Sequence, residues 1–150
     1  MRRGEIRMVD LDPALGSEAD KVRPAVIVSN NGANVAAERS GSGVLTVVPV
    51  TSNVTRIYPF QVLLPAAQCG LHRDSKAQAE QVRSVAAVRV GRCVGVLPAD
   101  LLAQLDNALR LHLGLLPAGA IGDLLPPPVA REGQRPLSEV VAELRDEERW

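Results

Sequence analysis

The sequence predicts a mainly β domain with helices (α+β), in which five or six short strands form a small twisted barrel and a C-terminal helix covers part of it. Several short runs are rich in β-branched residues or alternate polar and apolar residues, and turn residues bound them, as is typical of strands. Residues 98–114 instead repeat leucine at helical spacing. Apolar residues make up 46% of the chain but aromatic residues only 2%, so the core must consist mainly of Val, Leu, Ile and Ala.

The first strand is predicted at Glu5–Leu11, where polar and apolar residues alternate, so that one face of the strand should be buried and the other solvated. Asp12-Pro13 ends this strand, because proline cannot continue a hydrogen-bond ladder. Residues 14–22 then form a polar loop, and a loop beside a strand is a frequent position for binding groups.

Two buried strands are predicted at Arg23–Asn30 and Val44–Val50, because both runs are apolar and bounded by turn residues. Between them, Asn31 is expected to cap a short helix that ends at a glycine-rich turn. If the two strands pair, the Arg23 cation and the polar segment 51–53 lie on the same edge of the sheet. That arrangement suits the binding of an anionic group.

The second half of the domain is predicted from shorter patterns. Pro98 begins a helix at a position where its missing N–H costs nothing, and Gly114 ends it. One face of this helix carries Leu102, Leu105, Leu109 and Leu113. The other predicted elements are a strand at 56–64 that Pro59 makes an edge or a bulge, a loop at 65–75, and strands at 77–88 and 92–97.

The last part of the chain differs in composition and charge. Residues 1–115 hold 13 Lys/Arg against 10 Asp/Glu, a net charge of +3, whereas residues 116–150 hold 4 against 7, a net charge of −3. The predicted organisation is a domain at 1–116, a Pro/Gly-rich linker at 117–135 and an acidic amphipathic tail at 136–150. A helix as short as this tail is not stable alone, so the tail needs a surface to dock on.

Several classes of protein are excluded or disfavoured. Cys69 and Cys93 provide neither a disulfide framework nor metal-ligand spacing, which favours a cytoplasmic protein, and no signal peptide or membrane span is predicted. The sequence has no nucleophile elbow, P-loop or dinucleotide fingerprint. His72 and His112 lie far apart, without a cysteine or carboxylate at ligand spacing. We therefore expect no metal site and no cofactor.

Among catalytic functions, cleavage of RNA by its own 2′-hydroxyl is still possible after these exclusions, because in this reaction the substrate carries the nucleophile. Arg23 is the first choice to stabilise the phosphorane, since its planar fork matches phosphate oxygens, and the Thr51 hydroxyl would hold the phosphate. Glu80 or Glu18 would accept the proton. The same residues also permit an alternative, in which Arg23 only forms a surface ion pair with Asp20 or Glu18.

Motifs in a fixed order carry a resemblance to a known family. The first group comprises Arg3-Gly4-Glu5-Ile6, Asp10-Leu11-Asp12-Pro13, Gly16-Ser17-Glu18 and Arg23-Pro24-Ala25-Val26-Ile27-Val28-Ser29. The second group comprises Val48-Pro49-Val50-Thr51-Ser52-Asn53, Tyr58-Pro59-Phe60-Gln61-Val62-Leu63-Leu64 and Ala79-Glu80-Gln81-Val82-Arg83-Ser84. Each motif alone is weak, but the ordered set over residues 2–115 resembles the MazF/PemK family of toxins.

The resemblance implies an SH3-like barrel that forms a homodimer. It also implies the toxin of a type II toxin–antitoxin pair, a metal-independent and sequence-specific endoribonuclease (mRNA interferase) that a cognate antitoxin inhibits. Such an enzyme cuts single-stranded RNA to a 2′,3′-cyclic phosphate and a 5′-hydroxyl. The family's catalytic positions correspond to Arg23, Thr51 and Glu80. The expected RNA-binding residues are Ser17, Glu18, Lys21, Ser52, Asn53, Tyr58, Gln81 and Arg83.

Two features depart from the family pattern. Arg7 stands where members commonly have an aromatic residue, so base stacking would fall to Tyr58, Phe60 or arginine planes. The chain also continues past the usual end of the family, and 136–150 resembles an antitoxin C-terminus. We expect this tail to dock on the domain, in the same chain or in the partner subunit, and to lower activity; a solvated tail is the alternative. The alternative function is a non-catalytic SH3-like module that binds RNA or a partner peptide.

Overall fold

The computed structural model describes residues 1–115, so the predicted linker at 117–135 and tail at 136–150 lie outside the described residues. The strands are β1 (Glu5–Asp10), β2 (Val22–Ile27), β3 (Val44–Thr51), β4 (Gln61–Leu64), β5 (Ser75–Gln78), β6 (Arg83–Ala86) and β7 (Val90–Val96). The helices are α1 (Asn31–Ser40), α2 (Ala66–Cys69) and α3 (Ala99–Leu113), and single 3₁₀ turns lie at Ala79–Gln81 and Ala87–Arg89.

The strands form one antiparallel sheet in the order β4-β5-β3-β2-β1-β7, and β6 pairs with the first half of β3. This topology confirms the prediction of a mainly β domain with a C-terminal helix. Within residues 1–115 the terminal strands β4 and β7 do not pair with each other, so the sheet is open and barrel closure is not confirmed. No helix in that range is long and apolar enough to cross a membrane.

The sheet is packed on both faces. Along β2, Ala25 and Ile27 join one apolar cluster and Val26 joins another, as the alternation of side chains in a strand requires. Helix α3 covers the Val26 face through a stripe of buried residues, whereas α1 covers part of the opposite side through Ala37. The buried stripe of α3 comprises Leu101, Leu105 and Ala108.

The predicted solvated face of β1 is wrong. Ile6 belongs to the cluster under α3, and Val9 belongs to the cluster on the opposite face. The register between β1 and β7 shifts on both sides of Arg7, so the simple two-residue alternation is interrupted there. The sequence pattern therefore predicted the position of the strand correctly, but it did not predict that residues on both faces of the strand are buried.

Local backbone chemistry explains the other differences. Helix α1 is capped by Asn30 rather than Asn31, because the Asn30 Oδ1 accepts the Ala33 N–H at 2.9 Å. The predicted strand at 56–64 shortens to β4, since Tyr58 C=O accepts the Gln61 N–H in a turn that contains Pro59. The predicted strand at 77–88 is divided by a 3₁₀ turn into β5 and β6, and the predicted loop at 65–75 contains α2.

Candidate active site

The pairing of β2 with β3 brings Arg23 and Thr51 to the same edge of the sheet. The antiparallel ladder ends at the pair Ala25–Pro49, and the same register continued by two residues puts Arg23 opposite Thr51. Pro24 has no N–H to donate, which favours an end of the ladder at this point. Both Arg23 and Thr51 line one groove of about 740 Å³, as the sequence predicts for a single anion-binding edge.

The groove is cationic. Among residues 1–115, its lining contains no Asp or Glu, and every charged side chain in it is positive. Such a surface favours a polyanion over a neutral or cationic ligand. The Lys/Arg residues of the lining are Lys21, Arg23, Arg73 and Arg92, and His72 and Ser52 also contribute to it.

Arg23 forms an ion pair with Asp20, one of the two partners named in the alternative to a functional role for Arg23. Its Nη2 lies 2.9 Å from Asp20 Oδ1, and its Nε donates to the Asp20 carbonyl oxygen at 2.8 Å. These two contacts use two of the five N–H donors of the guanidinium, and the others have no partner within residues 1–115. The Asp20 side chain is 47% exposed, so the pair adds little stability but fixes the direction of the guanidinium.

Thr51 is half-buried at the end of β3, and its Oγ1 accepts the Asn53 N–H at 3.3 Å. With its oxygen held in this way, the hydroxyl hydrogen can be donated to an oxygen atom in the groove. Ser52 follows in the groove lining. Asn53 does not line the groove, and its side chain accepts the Thr55 N–H at 3.2 Å.

The two carboxylates predicted to accept a proton do not line the groove. Glu80 lies on the 3₁₀ turn after β5, where its Oε1 accepts Gln61 Nε2 at 2.6 Å. Glu18 accepts the Leu15 N–H at 3.0 Å within the loop between β1 and β2. The structure thus brings together Arg23 and Thr51 but places both carboxylates elsewhere, and their role in proton transfer stays a prediction.

Other predicted RNA-binding side chains contact the protein itself. Tyr58 stacks on Phe60 with ring centroids 5.6 Å apart, and the Tyr58 hydroxyl is buried. Gln81 accepts the Ala19 N–H at 3.1 Å and donates to the Ser17 carbonyl oxygen at 3.0 Å. Arg83 donates to the Leu11 carbonyl oxygen at 3.1 Å. Gln81 and Arg83 therefore hold the β1–β2 loop beside the groove, whereas Lys21 and Ser52 line the groove directly.

Three residues with basic side chains in the groove were missed by the sequence-based prediction. His72 and Arg73 lie between α2 and β5, and Arg92 lies on β7, more than fifteen positions further along the chain. No spacing in the sequence links these segments, because a tertiary contact brings them together. Within residues 1–115 no group of three or more His, Cys, Asp and Glu residues could hold a metal ion.

Two pKa shifts occur outside the groove lining. Burial, helped by the charge of Asp100, raises the pKa of the Cys69 thiol, so this cysteine is a poor nucleophile. The pKa of Glu5 is lowered from its ordinary value. Burial acts to raise this pKa, but hydrogen bonds from the Arg7 side chain and the Arg2 backbone, together with the nearby positive charges, outweigh burial. Neither group lines the groove.

Comparisons with known proteins agree on one family. Residues 2–113 match the family described as PemK-like, MazF-like toxin of type II toxin–antitoxin system. Over 115 residues the chain is 64% identical to Endoribonuclease MazF9 of Mycobacterium tuberculosis. The match covers 77% of this chain and 98% of that protein. The crystal structure of MazF from Deinococcus radiodurans superposes with a TM-score of 0.63 at 29% identity, covering 77% of this chain and 97% of the other.

A further structure shares the fold at lower sequence identity. An endoribonuclease in complex with its cognate antitoxin, from a Mycobacterial species, superposes with a TM-score of 0.61 at 22% identity. The match covers 77% of this chain and 97% of that chain. At this identity the likeness supports the fold alone.

Proposed function

This chain belongs to the family of PemK-like, MazF-like toxins of type II toxin–antitoxin systems and is an endoribonuclease, and we propose that it cleaves single-stranded mRNA at specific sequences without a metal ion. The observation that carries this proposal is that Arg23 and Thr51 line one groove, in which every charged side chain contributed by residues 1–115 is positive. A phosphodiester is the anion that this pair of donors fits best.

In the proposed reaction, the 2′-oxygen of the RNA attacks the adjacent phosphorus and the bond to the 5′-oxygen breaks. The 2′-hydroxyl gives up a proton and the leaving 5′-oxygen gains one, so the products are a 2′,3′-cyclic phosphate and a 5′-hydroxyl. The N–H groups of Arg23 that Asp20 does not use, together with the Thr51 hydroxyl, donate to the non-bridging oxygens. Their contribution grows as charge accumulates on those oxygens in the transition state.

Proton transfer places a separate demand on the site. A guanidinium is a delocalised cation that gives up a proton reluctantly, so it suits charge stabilisation better than acid catalysis. We therefore assign Arg23 to electrostatic stabilisation and keep Glu80 and Glu18 as the proposed carboxylates for proton transfer. Glu80 also acts on the loop before β4, since it orients Gln61, whose Oε1 accepts the Tyr58 N–H at 3.2 Å.

The remaining assignments follow from family membership. RNA contacts are proposed for Lys21 and Ser52 in the groove, and for residues around it that have protein partners or lie in adjoining loops. We further propose a homodimer, a cognate antitoxin and a cytoplasmic site of action. The RNA contacts proposed around the groove are Ser17, Glu18, Asn53, Tyr58, Gln81 and Arg83.

The proposed activity is tested on a defined single-stranded RNA transcript, incubated with and without a chelator of divalent cations. We expect cuts at a small set of sequences at equal rates in both samples, with fragments that carry a cyclic phosphate and a 5′-hydroxyl. Binding without any cleavage would contradict the proposal and favour the non-catalytic RNA-binding module. Cleavage that stops with the chelator would contradict the metal-independent mechanism.

The acidic tail is proposed as an inhibitor of the same groove. Residues 136–150 lie outside the described residues, so this part of the proposal rests on charge: the chain beyond 115 carries a net charge of −3, and the groove is positive. Deleting residues 117–150 is expected to raise the cleavage rate at subsaturating RNA, with a smaller effect at high salt. Equal rates for the truncated and full chains, together with equal stability of the dimer, would contradict the proposal.

A further inference from the structure

We propose that Arg73 and Arg92 form a second phosphate-binding subsite, which holds the RNA backbone beside the phosphodiester that is cleaved. The subsite rests on the proposed function, because it occupies the same groove as Arg23 and Thr51. It adds two cations, from the segment before β5 and from β7, to the strand ends that surround the reacting phosphate.

A close backbone contact joins α2, which precedes Arg73, to β7, which carries Arg92. Helix α2 lies so near β7 that a Cβ built on Gly95 would overlap the Cys69 carbonyl oxygen. The chain leaves α2 at Gly70, which has a φ of 78° and also lies against Gly95. The segment that follows contains Arg73, and Arg73 and Arg92 both line the groove with exposed side chains.

Neither arginine is neutralised by a carboxylate in the described part of the chain. Between residues 1 and 115, ion pairs engage Arg3, Arg7 and Arg23, but not Arg73 or Arg92. The acidic residue nearest to Arg73 in sequence is Asp74, whose Oδ1 instead accepts the Ala66 N–H at 2.8 Å. Asp74 does not line the groove and forms no ion pair with either arginine.

Phosphate is the part of RNA that this arrangement favours. A guanidinium offers a planar fork of donors that matches phosphate oxygens, and two of them in one groove fit the regular charge of a polynucleotide backbone. Arginine also stacks on bases, and that mode does not depend on salt in the same way. Salt dependence therefore separates a phosphate contact from a base contact.

The test measures RNA binding by Arg73→Gln, Arg92→Gln and the double variant, by fluorescence anisotropy at several potassium chloride concentrations. The probe is a mixed-sequence single-stranded RNA with 2′-O-methyl groups throughout, which keeps its phosphates and lacks the attacking hydroxyl. The slope of log K against log salt is negative, and each lost phosphate contact should make it less steep by about 0.7. In the double variant the slope should become less steep by about twice that amount.

Arg39→Gln is the matched control, because it removes the same charge from an exposed position on α1 that does not line the groove. The control should keep the parent slope. Parent slopes in Arg73→Gln and Arg92→Gln would overturn the subsite, and weaker binding at an unchanged slope would overturn the assignment to phosphate. If the slopes of Arg73→Gln and Arg92→Gln become less steep but the parent protein does not cut unmodified RNA, the proposed function fails and phosphate binding by the two arginines is supported.

Discussion

Arg23→Lys is expected to lower the cleavage rate at saturating RNA by about a hundred- to thousandfold, the usual cost of removing one preorganised donor to a transition-state oxyanion. Lysine keeps the positive charge, so steering of RNA into the groove should change little. It lacks the planar fork, and cannot at once contact Asp20 through two nitrogens and present further N–H groups to a phosphate. The measurement is single-turnover cleavage of a defined RNA.

Asp20→Asn serves as the control for orientation. It keeps the Arg23 guanidinium and removes only the charge of its partner, so we expect a much smaller loss of rate than for Arg23→Lys. Thermal unfolding should be close to that of the parent for both variants, because the pair is partly exposed. An Arg23→Lys enzyme that cleaves at the parent rate would remove Arg23 from the mechanism.

Thr51→Val completes this prediction, since valine keeps the shape of threonine without its hydroxyl. A hydrogen bond to a charged group contributes about 1.5–3 kcal/mol, which corresponds to a loss of roughly ten- to 150-fold in rate. Thr51→Ser should retain most of the activity, and Ser52→Ala tests the neighbouring hydroxyl of the same groove. Equal losses for Thr51→Val and Ser52→Ala would contradict a specific role for Thr51.

Much of the central sheet was predictable, because its signals are local. The runs in β2 and β3 are apolar, β-branched and bounded by turn residues, and they form the paired strands that the sequence predicts. Helix α3 begins after Pro98 and ends at Gly114, which adopts a φ of 68° as a C-terminal cap. The edge that carries Arg23 and Thr51 follows directly from these elements.

Elements that depend on distant contacts were not predictable in the same way. The division of 77–88 into β5 and β6 lets the two strands pair with opposite ends of β3. Helix α2 has only four residues and packs against Gly95, so its own sequence carries little helical signal. The same contact joins segments that lie far apart in the sequence, and for this reason Arg73 and Arg92 were missed as groove residues.

The predicted aromatic contact shows a related limit. Base stacking was expected from Tyr58, Phe60 or arginine planes, and an RNA contact of Tyr58 stays a prediction. Within the protein the Tyr58 ring stacks on Phe60, whose ring centroid lies 6.5 Å from that of His112 on α3. The Tyr58 ring therefore contributes to the packing of the loop before β4. Composition indicated which side chains were suited to stacking, and only tertiary structure shows the partner that one of them has within the protein.

The source of the attacking oxygen is the most direct test of the mechanism. A single 2′-deoxynucleotide is placed on the 5′ side of the scissile phosphate in an otherwise unmodified RNA, and binding and cleavage are measured with the parent enzyme. We predict unchanged binding and no detectable cut at that linkage, whereas the same replacement one nucleotide away should leave cleavage intact. A cut at the modified linkage would show that the nucleophile comes from water or from the protein, and would contradict the mechanism.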